Sequence, residues 1–215
     1  SVGQYAFRNS VFTGLFNCPN LQTVGEYAFR NSEFTGSFNC PNVTLVGNEA
    51  FYYSEFTGDF NCPDLQEVGQ DAFGNSVFDG AFECQNLQTV GTNAFLYSVF
   101  NGVFNCQNVK EIGEQSFYYS QFTGDFNCPD LQEVGNNAFY SSEFTGNFDC
   151  QELQEVGNQA FRNSQFNGEF NCPKLQTVGN DAFRNSTFDT ITIGANATLG
   201  TGCIGAHSAE FINDY

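Results

Sequence analysis

Nine cysteines, one histidine and 24 acidic residues are the groups in this 215-residue sequence with the most obvious capacity for chemistry. Eight of the cysteines (Cys18, Cys40, Cys62, Cys84, Cys106, Cys128, Cys150 and Cys172) recur every 22 residues, and Cys203 stands apart. Thiols in such a series could pair as disulfides, ligate a metal, or simply fill space as small hydrophobes. One disulfide consumes both thiols, so at most alternate neighbours could pair. Zinc needs convergent tetrahedral ligands, and a straight series with His207 as its one imidazole does not supply them. The expected role is therefore a buried column, with no metal. No Ser or Cys sits in a nucleophile elbow or beside a base. Carboxylates abound, but every carboxylate position varies between repeats, so no glycosidase-like pair is expected and the chain reads as a non-enzyme.

What positions these groups is an internal repeat. Gly3, Gly25, Gly47, Gly69, Gly91, Gly113, Gly135, Gly157 and Gly179 are each 22 residues apart, with no insertion or deletion between them. A period of this length supports one coil of a solenoid. Within a unit, Phe12, Gly14, Phe16 and Cys18 alternate with Val11, Thr13, Leu15 and Asn17, the pattern of a half-buried strand. Leu21 and Val24 are three apart, so the chain turns there, and a Gly at position 25 could permit a positive φ. Ala28 and Phe29 return to the core before Ser32 leads into the next strand. Coil on coil, each buried position becomes a stripe of like residues. Three Phe per coil (Phe7, Phe12, Phe16 and their repeats) are expected to form most of the core.

Segments VGEYAF (24–29), VGQDAF (68–73), IGEQSF (112–117) and VGNNAF (134–139) resemble the I-G-x-x-A-F signature of BspA-like, or Treponema pallidum-type, leucine-rich repeats. The resemblance covers residues 2–189 and continues weakly to the end. It implies a mainly β repeat solenoid of the α/β leucine-rich type, a right-handed coil with 22-residue units and one short parallel strand per unit. The departures are Ser10, Ser32 and Ser54 where Cys or Asn is usual, Phe and Gly in place of Leu and Ile, and units one residue shorter than common. By resemblance, the family includes surface adhesins and extracellular proteins, without catalytic residues. Two domains are expected: the solenoid over 1–189, whose first unit is incomplete, and a degenerate repeat serving as a C-terminal cap over 190–215. The sequence opens inside a unit, so an uncovered strand edge there could accept another molecule. A start at Ser1 in a chain without Met reads as a processed or trimmed product.

The surface columns carry the binding candidates. One outward column reads Thr13, Thr35, Thr57, Asp79, Asn101, Thr123, Thr145 and Asn167, with Asp59 and Asp125 close by. In leucine-rich repeats this face lines the concave side, where partners usually bind. Carboxylates among these amides and hydroxyls could hold Ca²⁺, although no EF-hand or RTX-type loop is present and no cofactor is expected. A regular Thr array is also found on ice-binding solenoids, but the T-x-T pattern is missing. A second column, following Ala-Phe, reads Arg8, Arg30, Tyr52, Gly74, Leu96, Tyr118, Tyr140, Arg162 and Arg184, with basic residues near both ends and aromatics in the middle. Arg and Tyr favour interfaces, so this column is the candidate association surface. Asn42, Asn185 and Asn196 begin sequons and are candidate glycosylation sites.

A net charge of −18 with only 6 Lys and Arg argues against nucleic-acid or anionic-membrane partners. With 27 Phe and 17% aromatic residues the chain is not disordered, and no apolar run is long enough to span a bilayer. The leading expectation is an extracellular or cell-surface structural or adhesive protein that associates with itself or with a host or cell-surface protein or glycan. The alternative is a receptor-like module that binds a protein or glycan on the Thr/Asn/Asp face.

Overall fold

The computed structural model describes residues 1–204 and the backbone of 210–214; His207 and Ala209 lie outside the described residues. Coils are numbered from the opening Gly, coil 1 at Gly3 and coil 9 at Gly179. Each coil carries short parallel strands that pair only with the equivalent strands of neighbouring coils. The first ladder begins Val11–Phe12, Glu33–Phe34, Glu55–Phe56 and ends at Gln165–Phe166. The second begins Phe16–Asn17, Phe38–Asn39, and the third Thr23–Val24, Leu45–Val46. The single strand expected per unit is thus replaced by three. The alternating run over 11–18 bends at Gly14, so its two halves pair in different ladders.

Register is strict, because a slip would move Phe to the surface. Phe12 pairs with Phe34, Phe16 with Phe38 and Val24 with Val46. Three columns of parallel-stacked rings result. Centroids in the Phe12 column are 4.4 to 4.8 Å apart, and those in the Phe7 column 5.0 to 5.3 Å apart. Rings of different columns meet edge to face, as Phe38 does with Phe51 at 5.3 Å and 85°. Each buried Phe contributes about 1.5–3 kcal/mol by removal from water, and favourable ring geometry adds about 0.5–1.5 kcal/mol per pair. Leu, Val, Ala and Cys columns complete a single continuous core.

The Gly column has a different cause from the one the sequence pointed to. Gly25 does not adopt a positive φ; a Cβ there would lie 2.8 Å from Val2 O of the coil before. Coils approach backbone to backbone at this corner, and only Gly fits. Positive φ falls instead two and six residues further on, at Tyr27 (φ 56) and Asn31 (φ 57) in coil 2 and at the equivalent pair in every coil to Asp181 and Asn185.

The segment over 190–204 continues the stack. Thr190–Gly194 extends the second ladder, with Phe170 opposite Ile191, and Thr198–Leu199 extends the third. Thr177 pairs with Thr198, so this coil is one residue shorter than the rest. Glu210–Asp214 adds a further parallel strand to Thr190–Gly194.

Candidate functional site

The Thr/Asn/Asp column stands in register just after the first ladder, exposed along its length. Much of its hydrogen-bonding capacity is spent between coils. Thr35 and Thr57 hydroxyls donate to Phe12 O and Phe34 O at 3.3 and 3.4 Å, and Asn101 Nδ2 donates to Asp79 Oδ1 at 2.7 Å. Thr123 donates to Asn101 O at 3.2 Å, and Thr145 Oγ1 accepts the Gly124 N–H at 2.9 Å. Thr13 and Asn167 occupy the two ends of this column. Asp59 and Asp125 belong to the next column, where each carboxylate accepts a backbone N–H of the following coil: Ala81 at 2.8 Å and Asn147 at 2.7 Å. The two aspartates are therefore acceptors that tie coils together, leaving their outer oxygens to solvent. Among the described residues no three His, Cys, Asp or Glu converge on a point where a metal ion would sit.

An open depression lies elsewhere, along the third ladder beside Thr89, Glu111, Glu133, Glu155 and Thr177. Glu111, Glu133 and Glu155 are direct cross-strand neighbours, an arrangement that like charges disfavour. The sequence shows them only as a position that is often Glu; the ladder places them side by side.

The residues of the Arg/Tyr column make contacts of several kinds. Arg30 forms an ion pair with Glu49, and its guanidinium lies 4.9 Å from the Tyr52 ring centroid and 5.9 Å from that of Tyr27. Tyr52 is held further by Asn75, whose Nδ2 donates to its hydroxyl at 3.1 Å, and it lies over Gly74, where a Cβ would stand 2.7 Å from the ring. At the other end Arg162 and Arg184 both pair with Asp181, at 3.6 and 3.5 Å. Arg8 is exposed in coil 1. In the middle, Tyr118 stacks on Tyr140 at 5.0 Å, Tyr119 meets Tyr118 edge-on at 4.8 Å, and Tyr97 stacks on Tyr119 at 5.3 Å. These four rings form one patch spanning coils 5 to 7.

The periodic cysteines are free thiols and, Cys18 apart, buried among the core columns. Burial pushes the Cys40 thiol up to about 12 and raises those of Cys62, Cys84, Cys128, Cys150 and Cys172. A thiol held neutral is neither a nucleophile nor a metal ligand. The repeated Ser, which the sequence placed merely at a strand entrance, is a buried bridge. Ser54 accepts the Ser32 N–H at 3.4 Å and donates to Phe29 O at 2.9 Å. Its near invariance, beside surface positions that change from coil to coil, was the available signal. Of the sequon residues, Asn42, Asn185 and Asn196 are all exposed, with Asn42 Nδ2 donating to Pro19 O at 2.6 Å and Asn185 Nδ2 to Asn163 Oδ1 at 3.0 Å.

Comparison with curated proteins and with solved structures returns no match. The family model described as the BspA type leucine-rich repeat region, in 6 copies, matches residues 1–101 and 88–207. With nearly the whole sequence so matched and the ladders in register throughout, the chain belongs to the BspA-type leucine-rich repeat family.

Proposed function

We propose that the chain is a non-catalytic structural or adhesive rod, working outside the cell or at its surface by associating with further copies of itself or with a surface protein or glycan. The observation that carries this reading is the division of chemistry across the coil. Phe, Cys, Leu, Val and Ala columns occupy the inside, and the residues able to recognise another molecule stand outside in register. Repetition at a fixed rise gives one rod many equivalent contacts, so weak single contacts add up to firm attachment. Self-association draws on the Arg/Tyr column, where Arg30 and Tyr52 already demonstrate that the two residue types fit each other.

Sedimentation velocity over a wide concentration range tests this, together with binding to immobilised cell-surface proteins and glycans. The expected result is concentration-dependent growth in size or saturable attachment to a surface. Dispersed monomers that attach to nothing would overturn it.

The receptor-like reading rests on the in-register hydroxyls and amides of Thr13 to Asn167. Asp59→Asn and Asp125→Asn keep the oxygen that accepts the next coil's N–H while removing the charge. Combined with Thr57→Val, they should abolish ligand capture by a receptor and leave assembly of a scaffold intact.

A further inference from the structure

The tyrosine patch of coils 5 to 7 has the geometry of a cation seat without a cation. In coil 2 the chain displays the filled version: the Arg30 guanidinium lies over the Tyr52 ring at 4.9 Å, with Tyr27 on its other flank at 5.9 Å. Tyr97, Tyr118, Tyr119 and Tyr140 present the same kind of surface in coils 5 to 7, and no Arg or Lys stands in the corresponding columns of those coils. Two of the rings are strongly exposed, Tyr97 at 49% and Tyr119 at 45%. Both also occupy left-handed backbone, φ 55 in each case, at a position that is Asn in coils 1, 2, 4, 8 and 9. That backbone recurs at this position in every coil, Tyr53 included, so what sets coils 5 and 6 apart is the ring-to-ring contact their tyrosines make there.

The patch is also preorganised. Tyr140 is fixed by Asn163, whose Nδ2 donates to its hydroxyl at 3.1 Å, and Tyr118, Tyr119 and Tyr97 brace one another ring to ring from there. A partner would meet four rings whose mutual packing already restricts their rotamers, which lowers the entropy lost on binding. The charge of the occupant follows from the rest of the rod. With 24 acidic residues against 6 basic ones, the surface around the patch favours a positively charged occupant.

We infer that the Tyr97–Tyr118–Tyr119–Tyr140 patch docks an arginine-bearing segment of a second, basic polypeptide, the guanidinium seating on the rings as Arg30 seats on Tyr52. The inference rests on the adhesive reading above and names its partner chemistry. Arginine is favoured over lysine because its planar guanidinium stacks on a ring and is more weakly hydrated than an ammonium.

The test uses the wild-type chain with two soluble peptides, one alternating Arg with Gly and its Lys counterpart, at physiological salt. The Arg peptide should bind several-fold more tightly than the Lys peptide and should protect Tyr97 and Tyr119 from iodination, leaving the equally exposed Tyr5 and Tyr53 reactive. Replacing Tyr97 and Tyr119 by Ser should weaken the Arg peptide about tenfold, and replacing both by Phe should preserve binding. The protection pattern is read on unmodified protein, so it stands even if the Ser variant folds poorly. Equal binding of the two peptides, or protection spread evenly over all exposed tyrosines, would overturn the inference and leave the adhesive rod standing. If Tyr97 and Tyr119 are instead protected by concentrating the chain alone, the occupant is a second copy, and the basic partner is likewise overturned. A rod that neither binds the peptides nor assembles nor attaches to surfaces loses both readings.

Discussion

Coils 2 to 5 and coils 6 to 8 are built from the same unit, yet they cross the corner between the first and second ladders differently. In the earlier coils Thr35, Thr57, Asp79 and Asn101 donate their N–H to the Phe carbonyl one coil before, at 2.8 to 3.0 Å. Thr123, Thr145 and Asn167 make no such bond. Buried Ser hydroxyls change partner one coil later: Ser120 of coil 6 still donates to Phe95 O of the preceding coil, whereas Ser142 and Ser164 of coils 7 and 8 donate to Phe139 O and Phe161 O of their own. The change begins at one step. The second ladder stops at Phe104–Asn105 and restarts at Phe126–Asn127, with neither strand pairing across the step. There the Phe104 and Phe126 rings are 5.8 Å apart, against 4.9 Å for Phe16 and Phe38. Gly124 has φ 104 and a Cβ on it would meet nothing within 4 Å, surroundings it shares with Gly14 of coil 1. At this corner coil 6 behaves as though it began a new stack.

The first and third ladders pass the same step intact, Phe100 opposite Phe122 and Val90 opposite Ile112 opposite Val134. A coil is thus held at three places, and two suffice to keep the rise and register of the rod. Because each coil interacts only with its neighbours, a fault at one corner stays local and leaves the overall architecture unchanged.

The sharpest way to break the comparison is to remove a ring on each side of it. Phe82→Ala, within the continuous stretch, should cost about 3–5 kcal/mol of stability. Phe104→Ala should cost clearly less, since that ring is only partly buried and loosely stacked on Phe126. Chemical denaturation of the two variants decides; equal losses would mean that the step is packed as tightly as its neighbours. A smaller contrast lies between glycines. A Cβ at Gly91 would stand 2.7 Å from Val68 O and force two coils apart, so Gly91→Ala should lose about 3 kcal/mol. At Gly124 only the positive φ resists a side chain, and Gly124→Ala should lose about 1–2 kcal/mol. If the Gly124 variant proves the more damaged of the two, the corner is closed and not open.

Most of the rod was legible because a 22-residue period converts position into column: the Phe stripes, the Cys stripe and the Arg/Tyr edge all follow from spacing alone. What spacing could not reveal depends on how backbones meet. The alternation of Phe12, Gly14, Phe16 and Cys18 reads as one strand, and only the bend at Gly14 divides it. Gly25 reads as a turn residue, and only the neighbouring coil's carbonyl shows that close approach is its purpose. Asp59 and Asp125 look like free carboxylates for a ligand, and only the following coil reveals the N–H each accepts. The step between coils 5 and 6 leaves no mark in the period, since both units have the full length and the same Phe positions.

Coils 4 and 5 nevertheless share one local feature ahead of the step. In the column of Asp59 a side-chain oxygen accepts the next coil's N–H wherever Ser37, Asp59, Asp125 or Asn147 stands, at 2.7 to 3.2 Å. Ala81 and Val103 have no such oxygen, and they are the two consecutive residues of that column that precede the break. Val103, 62% exposed, also gains little from burial. Val103→Asn supplies an acceptor of the kind that Asn147 offers Glu169 at 2.9 Å. It should draw the corner of coil 6 onto coil 5 and raise stability by about 1 kcal/mol, the net worth of one hydrogen bond. Hydrogen exchange is the direct readout: the Phe104 and Cys106 amides, which lack the bonds that Phe82 and Cys84 make to Val103 O and Asn105 O, should slow toward the rates of those two. Unchanged exchange at Phe104 and Cys106 would show that the missing acceptor does not hold the step open, and the cause would then have to lie in the backbone of Gly124.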